Sequence, residues 1–399
     1  MKRITQLFTN LSRNKIDLFR PEFFLLAYLI YILVAFYSFR TGFIDLPVSE
    51  LSFLIPIFSF APFLMGAWLG KRFYGRSLSP ILLLIIMPLI VFFYSLVITG
   101  VYQTDLSLNF ILIAPIAMLL LYKAHKTLKN SVMPPKLSAL ICSGGLFFIL
   151  LSFREVGIPI FDSALRPVLT HNAFFGAGLV LFLFGFVPLL QKIESKKTFF
   201  LALILPTLFF LLTALRWVVL FVFLTAVFMA YYREFLDLKK ILPALIAAAV
   251  IILYVGSFVH QDGQPVQLFF ERIGETHFTF SEIVDQSYPL GDTKGALFFS
   301  GNPRDFVALE VFKYPANLTY TVLGAPMLEF GIAGVFAFML LLGMLLTLAY
   351  ENMKEKGMFW YYPLLLAISL VWLEIGVDQL SMLFFAFFAV FYLLKYSDI

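Results

Sequence analysis

Long apolar runs, each ended by charged or turn-forming residues, recur along the whole chain and set its organisation before any single residue does. Crossing the hydrocarbon of a bilayer takes about 17–25 apolar residues as helix, because every backbone polar group must be bonded within the segment. Runs of this kind cover residues 22–39, 51–70, 80–101, 107–122, 137–153, 172–190, 198–213, 215–232, 240–259, 327–350, 358–374 and 377–396. The pattern predicts an all-α, polytopic integral membrane protein with 12 transmembrane helices. Ahead of them, Ile4, Leu7, Phe8, Leu11 and Leu18 stand at helical spacing among Arg3, Arg13 and Lys15. That amphipathic spacing, with no small-residue cleavage site behind it, predicts a helix lying in the membrane interface and not a signal peptide. The chain then divides into an interfacial segment (1–20), helices one to nine (21–259), a large loop (260–326) and helices ten to twelve (327–399).

One run needs more than its length. From Thr198 to Tyr232 the chain is apolar apart from Pro206 and Arg216, and a single helix of that extent would be far longer than a hydrocarbon core of about 30 Å. Lysines 192, 196 and 197 precede the run, and Arg233, Lys239 and Lys240 follow it, so both flanks belong to the same side of the membrane. Two crossings with a turn close to Arg216 satisfy this.

Composition agrees with the pattern. Apolar residues make up 61% of the 399 and charged residues 13%, with a mean hydropathy of +0.93. A soluble globule has about 25% charged residues, so most of this chain is solvated by lipid. The alternate loops carry 21 Lys/Arg on the N-terminal side and 8 on the other, with 8 and 16 acids respectively. The positive-inside rule puts both termini in the cytoplasm of a multi-pass protein of the cell membrane. The lone Cys142 excludes an intrachain disulfide and a cysteine-based zinc site.

Chemistry is expected on the outer side. Nearly every charge maps to a span end, and the halves show no repeat, which argues against an ion-coupled carrier. The outer loop His260–Pro326 carries enough apolar residues to fold. Its Thr279-Phe-Ser-Glu282 resembles a capping box, and Asn302-Pro303 reads as an N-cap followed by a proline at the first helical position. At least two short helices, forming a lid over the outer end of the bundle, follow.

Six of the eight outer basic residues are arginines: Arg40, Arg154, Arg166, Arg216, Arg272 and Arg304. A guanidinium offers a planar pair of donors suited to phosphate. Alternatively these arginines pair with the outer acids or snorkel from helix ends. Arg216, inside an apolar run, needs a buried partner or a bound anion. Glu329, followed by Gly331 and Gly334, reads as a half-desolvated carboxylate able to act as a general base, or more simply as an acid favoured by a helix N-terminus. His277 is a second candidate base, although a histidine in such a loop is more commonly exposed. Histidines 125, 171, 260 and 277 show no metal-ligand spacing, and no DxD pair is present, so no metal and no cofactor are expected. The absence of Gly-rich phosphate loops argues against soluble nucleotides, and nothing points to nucleic acid.

In order and on the expected side, four segments resemble the membrane oligosaccharide repeat-unit polymerases, the Wzy-like or O-antigen polymerases. They are Arg154-Glu-Val-Gly-Ile-Pro-Ile-Phe161 with Arg166; Leu212-Thr-Ala-Leu-Arg216; Glu271-Arg272-Ile-Gly-Glu-Thr276 with Glu282-Ile-Val-Asp285; and Thr321-Val-Leu-Gly324 leading to Glu329-Phe-Gly331-Ile-Ala-Gly334. The second departs from the family's pattern, with Leu215 where a Gly-Tyr is expected. The resemblance implies a GT-C-like glycosyltransferase architecture and a metal-independent reaction outside the cytoplasm. In it a growing glycan leaves one polyprenyl pyrophosphate for a hydroxyl of a second lipid-linked repeat unit. It implies Arg154, Arg166, Arg216, Arg272 and Arg304 as pyrophosphate ligands and Glu329 or His277 as the base. Its partners would be the lipid-linked oligosaccharide as donor and acceptor, membrane lipid, a chain-length regulator and a flippase. An O-antigen ligase, delivering glycan to a lipid core, and a lipid-linked oligosaccharide flippase are the competing readings.

Overall fold

A computed structural model of the chain describes residues 17–74, 135–162, 164–170, 172–236, 243, 265–299, 303–314, 318–356 and 361–377. Expected spans 80–101, 107–122, 240–259 and 377–396 fall wholly or almost wholly outside the described residues, as does the segment 1–16. The described secondary structure is all helical. In chain order the helices are α1 (Phe23–Arg40), α2 (Leu51–Phe58), α3 (Phe60–Phe73), α4 (Pro135–Val156), α5 (Leu165–Thr170), α6 (Ala173–Lys192), α7 (Lys196–Leu211), α8 (Arg216–Tyr232), α9 (Pro265–Ser287), α10 (Ala296–Phe299), α11 (Pro303–Val307), α12 (Gly324–Lys356) and α13 (Tyr361–Ile375). A π-helical turn, Ala308–Phe312, continues α11.

Five of these are long and apolar enough to cross a membrane: α1, α2 with α3, α4, α6 and α12; α8 and α13 are shorter apolar helices. On α1 the exposed side chains Leu26, Ile30, Leu33 and Tyr37 form one stripe at helical spacing, as expected of a face solvated by hydrocarbon. The predicted pair in the 198–232 run is present as α7 and α8, which pack on each other.

Lipid offers apolar helices no hydrophobic gain from pairing, so close contact depends on small residues. Gly66, Gly70 and Gly343 bring the backbones of α3 and α12 together, a Cβ at Gly66 or Gly343 colliding with the carbonyl of Leu340 or Phe63. Gly145, Gly178 and Gly185 do the same for α4 and α6.

The two ends of the bundle differ in chemistry. At one end the Tyr232 and Tyr362 hydroxyls donate to the Phe19 carbonyl at 2.7 and 2.6 Å, and Tyr350 donates to Asp17 at 2.7 Å. Residues 17–22 are therefore turns tied to α8, α12 and α13, where the sequence suggested that the amphipathic helix continues to residue 20. Pro21, which lacks an N–H, and these tyrosines fix the chain there. At the opposite end lie the α7–α8 turn, α5, the close of α13 and the helix α9.

Candidate functional site

The site is assembled around α9. Its buried residues Ile273, Thr276, His277, Phe280, Ser281, Val284 and Ser287 recur at three- and four-residue intervals and pack it against α1, α2, α12 and α13. Thr279-Phe-Ser-Glu282 therefore does not start a helix; it lies inside this one, because the apolar face runs unbroken through it. Pro303 does open α11. At Gly274 a Cβ would press on Ile44, so the glycine sets how closely α9 approaches the end of α1.

Arg272, one turn before Thr276, faces Glu374 in the last turn of α13, with Nε 3.8 Å from Oε1. That is an ion pair without a hydrogen bond. The Arg272 Nε is buried and has no hydrogen-bond partner, an arrangement that costs free energy until an acceptor oxygen fills it. Arg216 is half-buried at the first position of α8, and its charged neighbours are Glu374, Arg272 and Arg166. Arg166, on α5, has its pKa lowered by burial and by the charge of Arg272. Arginines from three separate elements thus lie together, two of them, Arg216 and Arg272, beside the Glu374 carboxylate and the third, Arg166, beside those two.

The turn that delivers Arg216 is built from local bonds. Thr213 Oγ1 donates to the Phe210 carbonyl at 2.7 Å and accepts from the Leu215 N–H at 3.2 Å. Ala214 takes the left-handed conformation, φ 50°, in the tetrapeptide where the family pattern led to an expected glycine. The Ile160 N–H of the Gly-Ile-Pro-Ile segment donates to the Leu212 carbonyl at 3.1 Å, so two of the resembling segments hold one another.

Arg154, at the end of α4, is exposed, and Arg304, on α11, is half-buried; neither has an ion pair among the described residues. The two expected bases are shut away. Glu329 is 0% exposed and accepts hydrogen bonds from Thr293 Oγ1, at 2.9 Å, and from the Gly295 N–H. It does not open a helix. It precedes a kink at Phe330 and Gly331 within α12, into which the loop 288–296 fits, with Gly331 at φ 59° against the Pro289 carbonyl. His277 is not an exposed loop histidine: its ring stacks on Phe53 at 4.2 Å with Phe39 and Phe280 edge-on. Its Nε2 is 3.2 Å from Ser52 Oγ, and its Nδ1 has no partner. Burial holds the imidazole down to about 3. Both environments suit residues that fix packing better than bases reaching a substrate hydroxyl. Trp372, near the same end, is buried against Phe338.

Arginines from three of the resembling segments meet at one end of this bundle of apolar helices, and residues 17–386 match the model of the family described as putative O-antigen polymerase. The chain belongs to that family. Membership, with the apolar helices, makes it a multi-pass membrane protein of the putative O-antigen polymerase family. Over 148 residues it is 30% identical to an uncharacterised protein of Methanocaldococcus jannaschii, a stretch covering 37% of this chain and 35% of that protein. The likeness therefore spans about a third of the relative. No solved structure matches the chain.

Proposed function

We propose that this O-antigen polymerase family member joins polyprenyl-pyrophosphate-linked repeat units on the outer face of the cell membrane, through a metal-independent transfer. The observation that carries the reading is the meeting of Arg216 and Arg272 at Glu374, with Arg166 beside both arginines and the Arg272 Nε buried and unpartnered. Leaving of polyprenyl pyrophosphate from an anomeric carbon develops negative charge on phosphate oxygens. Preorganised guanidinium donors in a half-buried site stabilise that charge without reorganising at the moment of reaction.

Arg216 and Arg272 hold the pyrophosphate, Arg166 adds charge from the side, and Arg154 and Arg304 stand farther out as contacts to the approaching substrate. The lipid tail lies among the spans while its sugars sit by α9. Twelve crossings with both termini in the cytoplasm and a GT-C-like arrangement complete the topology, and a chain-length regulator and a flippase are the expected partners.

Lipid-reconstituted protein mixed with a polyprenyl-pyrophosphate-linked repeat unit from its own host tests this. A ladder of products on a gel is expected from wild type, and a loss of about 10²-fold or more from Arg216→Ala, the usual effect of removing an oxyanion-type donor. Turnover of Arg216→Ala within about threefold of wild type, against that expectation, would remove the pyrophosphate role. Glycosylation of an added lipid acceptor without a ladder would make the protein a ligase.

A further inference from the structure

The arginine site lacks a proton acceptor if Glu329 and His277 are enclosed, and the structure offers one other carboxylate at the right place. We infer that Glu374 takes the proton of the acceptor hydroxyl, and that Arg272 holds it in reserve until a lipid diphosphate occupies the arginines. This rests on the pyrophosphate reading above and adds the residue that completes its chemistry.

Glu374 lies in the last turn of α13, two residues before Gly376, whose φ of 75° turns the chain away, and its side chain is 26% exposed while Glu329 is 0% exposed. No hydrogen bond to its carboxylate is present among the described residues; Arg272 Nε approaches it at 3.8 Å, and Arg216 and Tyr31 are its other ionisable neighbours. A carboxylate so held keeps its lone pairs open to a hydroxyl. Neighbouring acids are less suited: Glu271 accepts from Gln267 at 2.7 Å, and Glu275 projects into solvent on the far side of the buried face of α9.

Charge balance supports the order of events. Arg216 and Arg272 offer two positive charges to a sugar–diphosphate–lipid diester, which carries two negative ones. When the diphosphate takes over Arg272, the carboxylate exchanges a cationic neighbour for an anionic one, and a like charge nearby favours proton uptake by a carboxylate. In the transfer the acceptor oxygen forms a bond to the anomeric carbon. The bond from that carbon to the diphosphate oxygen breaks, its electron pair leaving with the lipid diphosphate. The hydroxyl proton passes to Glu374 and from there to water. The leaving group carries one more negative charge than the donor, and the arginines stabilise it while Glu374 is protonated. Loss of that proton restores the carboxylate and repels the product.

The test compares wild type, Glu374→Gln, Glu374→Asp and Arg272→Ala in lipid nanodiscs, measuring binding of a polyprenyl diphosphate and single-turnover transfer from the lipid-linked repeat unit across pH. Glu374→Gln is expected to bind the diphosphate at least as tightly as wild type and to transfer about 10²-fold more slowly or worse. Its residual rate should lack the fall toward low pH that wild type shows, and Glu374→Asp should recover part of the activity. Transfer by Glu374→Gln within threefold of wild type would overturn the role. So would loss of diphosphate binding in that variant, which would make Glu374 a positioning residue for the arginines. If Arg272→Ala binds and transfers like wild type, the pyrophosphate reading itself fails, a result separate from either Glu374 outcome.

Discussion

His277 shows how far one side chain's role depends on what surrounds it. Ser52 Oγ already donates to the Ser49 carbonyl at 2.6 Å, so its contact with Nε2 is one in which the imidazole N–H donates. Nδ1 is then the bare nitrogen, and protonation would create a buried N–H without an acceptor. With the folded-state value depressed to about 3, the unfolded chain binds the extra proton first. Stability is full above the ordinary histidine range near pH 6.5 and is lost as pH falls from there toward 3, by up to about 1.4 kcal/mol per pH unit. Denaturation midpoints in detergent should show this slope in wild type and a flatter one in His277→Phe, which keeps the aromatic packing. Equal slopes would mean that the ring is not enclosed. Ala214 makes a complementary case: an L-residue at φ 50° is strained, so Ala214→Gly should be tolerated, and Ala214→Val should lower the unfolding midpoint and displace Arg216.

Helices and their breaks were legible to different degrees. The helices α1, α4, α6, α7, α8 and α13 follow from apolar runs alone, and the α7–α8 turn from an argument about length and flanking charge. The helix α9 was missed as one element because its signal is amphipathic: Thr279 to Glu282 carries the residue types of a cap, yet Phe280, Ile283 and Val284 continue a buried face begun at Ile273. A cap motif is decided by whether the preceding turn is free to stop, and here packing against α1 and α12 keeps it helical. The kink in α12 was signalled by Gly331 without its meaning being readable. Its φ of 59° and ψ of −143° are accessible essentially to glycine alone. Gly331→Ala should therefore cost about 2 kcal/mol or more, read as a lowered unfolding midpoint with loss of activity; an unchanged midpoint would contradict the docking of loop 288–296 into the kink.

For the molecule as a whole, the alternation of ends is the feature that joins topology to chemistry. Asp17, Tyr232, Tyr350 and Tyr362 meet at one end, and Arg166, Arg216, Arg272 and Glu374 meet at the other. Cys142 is buried, so single cysteines can be introduced with little background. In right-side-out vesicles a membrane-impermeant maleimide is expected to label Asp162→Cys and to reach Ser195→Cys only after lysis. The reverse pattern would turn the proposed orientation over and move the arginine site to the cytoplasmic side.

Membrane character, the all-helical class, the five helices long and apolar enough to span and the family resemblance were available from the residues in order, because each depends on stretches of about 20 neighbours or on short motifs. Which arginines form a site was not. Arg166, Arg216, Arg272 and Glu374 are 50 to 102 residues apart from one to the next in the chain, and their meeting depends on how α5, α8, α9 and α13 pack. The burial of Glu329 and His277 is equally a property of the assembly. A glutamate before a Gly-x-x-Gly and a histidine in a polar stretch look available until the loop at Gly291 and the rings of Phe39 and Phe53, supplied by distant parts of the chain, close over them.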